Sequence, residues 1–304
     1  MSSFEIISKT RVVEEGYDTS STATQLEAGC YHRISHISDS TKTKMIFGLF
    51  VPSTYQKTNN NPIIYWLSGL TCDDTNFAMK AGVKAFETAD KHGLAIVMPD
   101  TSPRPHGDES VDVPNVDSYD FGIGAGFYVN ATQEPYSANY KMYDYVTKEL
   151  PTLLENDLSL GKNGLKSIMG HSMGGHGSLT IALKEGKDCW KSVSAFAPIC
   201  NATDCPWGHK AFEGYLGSVE AGKSHDASVL MAALENPIYD DILIDQGTAD
   251  NFLEGQLKPD AIKKASEKSG QKVTLNMRNG FDHSYYFIAK FIDDHVNFHA
   301  KYLS

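Results

Sequence analysis

The sequence predicts an α/β fold, with a mainly parallel central sheet that is flanked by helices on both faces. Two observations lead to this prediction. Short apolar runs rich in β-branched and aromatic residues alternate along the chain with longer amphipathic stretches, as repeated strand–helix units require. The runs at residues 63–67 and 94–98 are apolar throughout instead of alternating, which is typical of central strands covered on both faces.

The expected elements follow in chain order from these two patterns. The short apolar runs predict strands at residues 44–51, 62–67, 94–98, 166–169, 193–197, 241–245 and 273–277. The amphipathic stretches predict helices near residues 79–91, 140–156, 174–184, 228–234, 259–268 and 284–302. Residues 101–136 and 200–223 lack strong periodicity, and long loops in a compact domain usually carry function. We therefore expect both segments to form walls of a substrate site.

Length, composition and charge exclude several classes of protein. The 304 residues are 41% hydrophobic and 21% charged, which is the composition of a globular chain and not of a disordered or coiled-coil one. No repeat or flexible linker divides the chain, so we interpret residues 1–304 as one domain. With 27 Lys and Arg against 38 Asp and Glu, the net charge of −11 disfavours nucleic acid as a partner.

Several features predict a cytoplasmic protein without membrane association. No apolar run approaches the roughly 18–20 residues of a membrane span, and the polar residues 1–5 lack the pattern of a signal peptide. The last three residues differ from the peroxisomal signal Ser-Lys-Leu. An odd number of cysteines without zinc or redox spacing indicates free thiols in a reducing compartment; these are Cys30, Cys72, Cys189, Cys200 and Cys205.

The pentapeptide Gly170-His171-Ser172-Met173-Gly174 matches the pattern G-x-S-x-G and stands between a strand-like and a helix-like segment. The turn in this motif is sharp, so a side chain at either glycine would collide with neighbouring backbone. By chance the same pattern also occurs in glycine-rich connections that carry a surface serine. The strand–turn–helix context favours Ser172 as a nucleophile for acyl transfer.

A serine hydroxyl needs a base and an orienting carboxylate, here in the order Ser, Asp, His. Asp250 qualifies because it follows the carboxyl end of the strand predicted at residues 241–245, although a solvated turn aspartate is the alternative. Asp245 is its nearest rival, but we expect it to pair locally. His283 is preferred among 11 histidines because it follows the last strand and opens the last helix.

Other histidines have simpler explanations. His295 and His299 are four residues apart on the last helix, a spacing that metal ligands can have. Without an acidic or cysteine partner at suitable spacing, we expect a partly exposed pair and no metal. His171 flanks the proposed nucleophile, where packing is the plainer explanation.

The tetrahedral intermediate of acyl transfer needs backbone N–H donors. The residue after the nucleophile, Met173, supplies one of them. Leu70 is the candidate for the second, because the segment Leu67-Ser68-Gly69-Leu70-Thr71-Cys72 follows an early strand directly. An ordinary strand-ending turn is the alternative interpretation.

Longer blocks of sequence carry a closer resemblance to a known family. They are residues 65–72 (YWLSGLTC), 99–104 (PDTSPR), 122–138, 170–177, 194–200, 206–208, 214–217 and 283–287 (HSYYF). With these blocks the chain resembles the S-formylglutathione hydrolase family, also called esterase D, of the α/β-hydrolase fold. Residues 106–119 are longer and more acidic than the family pattern, and the start through Thr43 matches poorly.

The resemblance implies Ser172 as nucleophile, His283 as general base and then acid, and Asp250 as the orienting group, with the amides of Leu70 and Met173 as oxyanion hole. It implies a glutathione thioester as substrate, hydrolysed to glutathione and formate in formaldehyde detoxification. It implies no cofactor and favours a homodimer. A carboxylesterase of broad specificity for small acyl esters and a catalytically silent binding protein remain alternatives, because fold does not fix function.

Five further residues are expected near the substrate. We predict that four aromatic side chains narrow the acyl side, unless they simply belong to the core: Trp66, Phe127, Tyr128 and Trp207. Cys72 follows Leu70 by two positions and should lie near the acyl group without being needed for turnover. A buried and inert cysteine is the alternative there.

Overall fold

The computed structural model describes residues 4–13, 25–106 and 112–303. The predictions that rest on residues 1–3 and on Ser304, and part of the acidic segment at residues 106–119, lie outside these described residues. Within the described ranges, no helix is both long and apolar enough to cross a membrane.

The described strands form one sheet. They are β1 (Phe4–Arg11), β2 (Cys30–Ile37), β3 (Lys44–Phe50), β4 (Ile63–Leu67), β5 (Ala95–Pro99), β6 (Lys166–His171), β7 (Val193–Phe196), β8 (Ile242–Gly247) and β9 (Val273–Arg278). Their order across the sheet is β1-β2-β3-β5-β4-β6-β7-β8-β9. The strands from β5 to β9 in this order, β5-β4-β6-β7-β8-β9, pair parallel with their neighbours. The pairs β1–β2, β2–β3 and β3–β5 are antiparallel.

The described helices pack around this sheet. They are α1 (Asn76–Lys80), α2 (Gly82–Lys91), α3 (Met142–Asp144), α4 (Leu150–Asp157), α5 (Met173–Cys189), α6 (Pro206–Leu216), α7 (Ala227–Ala232), α8 (Pro259–Ser269) and α9 (Tyr285–Leu303). A π-helical stretch, Tyr145–Glu149, joins α3 to α4. The predicted fold class, a mainly parallel sheet flanked by helices, is confirmed.

Two predictions about local structure are wrong. Residues 200–223, expected to form a loop, contain helix α6, whose N-cap Cys205 accepts a hydrogen bond from the Gly208 amide through its sulfur. His295 and His299, expected to be partly exposed, are fully buried in the core. His299 bonds Ser192 and Ser194 with its two ring nitrogens, at 2.7 and 2.8 Å, so α9 is joined to the sheet by buried polar contacts.

The parallel strands bring three separate segments to one edge of the sheet. Ser172 follows β6 directly, Asp250 lies in the turn after β8, and His283 lies between β9 and α9. Because carboxyl ends of parallel strands meet at the same edge, residues far apart in sequence become neighbours there. The fold therefore assembles the candidate site from the ends of β6, β8 and β9.

Candidate active site

The turn that carries Ser172 is strained and tightly packed. Ser172 has φ 59° and ψ −118°, a backbone conformation that residues other than glycine rarely adopt. A Cβ at Gly170 would lie 2.3 Å from the Gly174 carbonyl oxygen, and one at Gly174 would lie 1.9 Å from the Leu67 carbonyl oxygen. The two glycines of G-x-S-x-G are therefore required by close backbone contacts within the turn and between the turn and β4.

Ser172, His283 and Asp250 form one hydrogen-bonded chain. Ser172 Oγ lies 2.9 Å from His283 Nε2, and His283 Nδ1 lies 2.6 Å from Asp250 Oδ2. An ionised carboxylate only accepts, so Nδ1–H donates to Asp250 and Nε2 is left to accept the serine proton. This arrangement can activate the hydroxyl for attack on an acyl carbon.

Asp250 is held in place by its own turn. The Phe252 amide donates to Oδ1 at 2.8 Å, and Gln246 Nε2 donates to Oδ2 at 3.3 Å. Its rival Asp245 is fully buried elsewhere and accepts from Arg278 Nε at 2.7 Å and from Asn276 Nδ2 at 2.8 Å. The structure thus brings Asp250, and not Asp245, to His283.

Both candidate oxyanion donors lie beside Ser172. Met173 is the first residue of α5, so its N–H is one of the four amides at a helix start that lack an intrahelical acceptor. Leu70 follows Gly69, where a Cβ would lie 3.1 Å from the Ser172 Cβ. The Thr71 amide donates to the Gly124 carbonyl at 2.9 Å and fixes the turn that contains Leu70.

Ser172 and His283 open onto a cavity of about 720 Å³. This volume is in the usual range for a small-molecule site, about 300–1,000 Å³. The described residues that line it are Gly69, Leu70, Thr71, Cys72, Lys80, Tyr119, His171, Ser172, Trp207, Phe252, His283, Ser284, Tyr285, Tyr286 and Ala289. The cavity joins the candidate oxyanion turn, the serine and the start of α9 in one space.

Relatives of known name match almost the whole chain. The sequence model of the esterase family, described as "Putative esterase", matches residues 38–298. The S-formylglutathione hydrolase of Arabidopsis thaliana is 47% identical over 282 residues, which cover 92% of this chain and 96% of the plant protein. The chain belongs to the S-formylglutathione hydrolase family. The predicted family resemblance is thereby confirmed, and with it the prediction of a hydrolase.

Two further members of the family agree with this assignment. The S-formylglutathione hydrolase of Mus musculus is 50% identical over 272 residues, covering 88% of this chain and 93% of the mouse protein. The structure of the family member from Agrobacterium tumefaciens superposes with a TM-score of 0.86 at 39% identity, covering 98% of this chain and 99% of that one. Sequence and fold therefore match the family over the same length.

Three of the five residues expected near the substrate lie in the core of this family member instead. Trp66 stacks on Phe77 with ring centroids 4.0 Å apart, and its indole nitrogen donates to Ser68 Oγ at 3.0 Å. Tyr128 donates from its hydroxyl to the Ser68 carbonyl at 2.8 Å, and Phe127 is also fully buried. None of the three side chains lines the cavity, so their predicted position is corrected.

Cys72 and Trp207 do line the cavity of this family member, as predicted. The Cys72 sulfur lies 4.0 Å from the Tyr285 hydroxyl. Burial raises the pKa of this thiol, although the contact with Tyr285 opposes the shift. Trp207 donates from its indole nitrogen to the Tyr119 hydroxyl at 3.1 Å.

Several residues of the cavity wall were not predicted from the sequence. Tyr285 and Tyr286 stand within the block HSYYF that contains His283, and Phe252 follows Asp250 by two positions, so proximity in sequence was an available signal. Tyr119 lies in the segment 101–136 that was expected to form a wall, whereas Lys80 carries no such signal.

His171 packs against His283 in this site. Its ring centroid lies 4.4 Å from that of His283, and neither of its ring nitrogens has a hydrogen-bond partner among the described residues. Burial, and then the charge of His283, hold the pKa of His171 well below its ordinary value. His171 therefore stays neutral and does not repel His283 when that ring gains a proton.

Proposed function

We propose that this protein hydrolyses S-formylglutathione to glutathione and formate, with Ser172, His283 and Asp250 as its catalytic residues. The observation that carries the proposal is the hydrogen-bonded chain from Ser172 through His283 to Asp250, which faces the cavity. The S-formylglutathione hydrolases that match this chain along most of its length supply the substrate.

Acyl transfer to the enzyme forms the first half of the reaction. Ser172 Oγ attacks the formyl carbon while its proton passes to His283 Nε2. The amides of Leu70 and Met173 stabilise the negative charge that develops on the carbonyl oxygen. When the intermediate collapses, the carbon–sulfur bond breaks and the glutathione sulfur leaves, taking the proton from His283.

Hydrolysis of the formyl ester on Ser172 completes the cycle. A water molecule attacks the formyl carbon, and His283 takes one of its protons. The bond to Ser172 Oγ then breaks, the serine recovers its proton from His283, and formate leaves. Asp250 keeps the imidazole in the required tautomer and stabilises its protonated form in both halves.

The setting of the enzyme follows from the same proposal. The reaction as written needs no cofactor, since every proton moves between Ser172, His283, substrate and water. All five cysteines are free thiols, which supports a location in the reducing cytoplasm. We also propose that residues 1–304 form one domain, because the described strands from Phe4 to Arg278 belong to a single sheet. We further propose a homodimer, which light scattering would test.

A comparison of substrates tests the proposal. The value of kcat/KM is measured for S-formylglutathione and for simple aryl acetates. The proposal requires a clear preference for the thioester. Similar values would instead favour the carboxylesterase of broad specificity.

Covalent labelling tests the nucleophile separately. An activated fluorophosphonate should label Ser172, and a peptide map should find the adduct there. Absence of labelling in folded protein would support a silent binding protein and count against both enzymatic alternatives.

A further inference from the structure

One cation stands in the wall of the cavity. Lys80 is the last residue of α1, is exposed, and lines the same space as Ser172 and His283. Among the described residues that line the cavity, it is the only lysine or arginine, and none of the others is an aspartate or a glutamate. The cavity therefore carries a local positive charge, although the chain as a whole has a net charge of −11.

Lys80 is positioned without being neutralised. Its Nζ lies 4.9 Å from the centroid of the Tyr285 ring, a contact in which the ring face attracts the cation. The Tyr285 hydroxyl is in turn held beside the Cys72 sulfur. In the described part of the chain Lys80 has no salt bridge, whereas Lys84, one turn later, pairs with Asp293 at 2.9 Å.

A negatively charged ligand would gain from such a cation. The field of a chain with a net charge of −11 repels anions, so an anionic substrate needs a local positive group to approach and stay bound. S-formylglutathione carries two carboxylates and one ammonium group, and is therefore an anion. The cavity of about 720 Å³ is much larger than a formyl group needs, which leaves room for the peptide part.

We propose that Lys80 binds a carboxylate of the glutathione part of the substrate and so makes the enzyme prefer glutathione thioesters to neutral esters. This inference rests on the proposed function. The contact is remote from the reacting carbon and is made equally in the ground state and the transition state. It therefore acts on KM and not on kcat.

The test compares charged and neutral thioesters in matched variants. Lys80→Gln removes the cation from the cavity, and Lys84→Gln removes the same charge from the neighbouring helix outside it. Steady-state rates are measured with S-formylglutathione and with the formyl thioester of N-acetylcysteamine, which keeps the thioester and lacks both carboxylates. Circular dichroism confirms that each variant is folded.

We expect Lys80→Gln to raise KM for S-formylglutathione about 3- to 10-fold, the range for losing one partly solvated ionic contact, with kcat little changed. The ratio of kcat/KM for the charged thioester to that for the neutral one should fall by the same factor. Lys84→Gln should leave this ratio as in the wild type. Added salt should raise the wild-type KM for S-formylglutathione more than that of Lys80→Gln.

Two results would overturn the inference in distinguishable ways. In the first, the wild type prefers S-formylglutathione, but Lys80→Gln leaves the ratio of kcat/KM values unchanged or Lys84→Gln lowers it equally. Lys80 then does not bind the carboxylate. If the wild type shows no preference for S-formylglutathione over aryl acetates, the proposed function fails and this inference fails with it.

Discussion

His283 Nδ1 lies 2.6 Å from Asp250 Oδ2, a contact that joins the turn after β8 to the segment before α9. Asp245, which lies inside β8, is instead bound by Arg278 and Asn276. The two carboxylates therefore have different partners: Asp250 contacts His283, and Asp245 joins β8 to β9.

The first prediction follows from this difference. Asp250→Asn should lower kcat about 10²- to 10⁴-fold, because an amide can favour the wrong tautomer of His283. Asp245→Asn should keep most of the activity and lose stability, since it weakens a buried contact with Arg278. Steady-state kinetics and thermal melts measure both effects. If Asp245→Asn is folded and the less active of the two, the carboxylate was assigned wrongly.

The second prediction concerns the nucleophile. Ser172→Ala should lower kcat by about 10³-fold or more while the fold persists, because the hydroxyl bonds His283 and fills no core space. Circular dichroism serves as the control for folding. A folded variant that keeps more than about a tenth of the wild-type kcat would rule out Ser172 as nucleophile.

The sequence predicted the parallel part of the sheet well for a physical reason. Strands that are covered on both faces are typically apolar throughout, so β4 and β5, which are buried along their whole length, appear as distinct apolar runs. Strand β1 is largely exposed along its length, and β2 carries His32, Arg33 and His36, so neither produces such a run. Both were missed at the antiparallel edge of the sheet.

Helix α6 was missed because packing, and not helix propensity, determines its sequence. A Cβ at Gly208 would lie 1.9 Å from the Ala202 carbonyl oxygen, and one at Gly214 would lie 2.3 Å from the Phe121 ring. Glycine lowers helix propensity, so these two residues weaken the pattern that would have predicted the helix. Tertiary contacts that sequence does not show compensate for them.

The residues of the candidate site were predictable to different degrees. The G-x-S-x-G motif and the expected chain order located Ser172, Asp250 and His283, which the structure brings together; their roles remain predictions. The sequence could not distinguish aromatic residues of the core from those of the cavity wall. Trp66 in the core and Trp207 in the wall are the same residue type, and both are buried. Lys80 could be recognised as a wall residue only from the cavity in the structure.

The third prediction concerns acyl length. Rates should fall sharply from formyl or acetyl to butyryl thioesters, since discrimination in an apolar pocket amounts to about 1–3 kcal/mol per methylene. Trp207 lines the cavity, so Trp207→Ala should accept the longer chain better than the wild type does. Trp66→Ala is the contrasting variant: it should lose about 3–5 kcal/mol of folding stability without relaxing the selectivity. Equal wild-type rates for all three acyl groups would refute the prediction.

The last prediction concerns the thiol in the cavity wall. Cys72 lines the cavity, and burial raises the pKa of its thiol. We expect this thiol to be dispensable for turnover. The thiolate is the reactive form, so a raised pKa makes modification slow near neutral pH and faster as pH rises.

N-ethylmaleimide should therefore inactivate the wild type slowly near pH 7, and about tenfold faster for each pH unit until the thiol is ionised. Cys72→Ser should stay active and become resistant, because an adduct on this sulfur would fill the space beside the Leu70 turn. Cys189 is half-buried at the end of α5 and lies outside the cavity wall, so Cys189→Ser should remain as sensitive as the wild type. Residual activity after timed exposure measures each case. Sensitivity that persists in Cys72→Ser would assign the inactivation to another thiol and leave the cavity thiol inert.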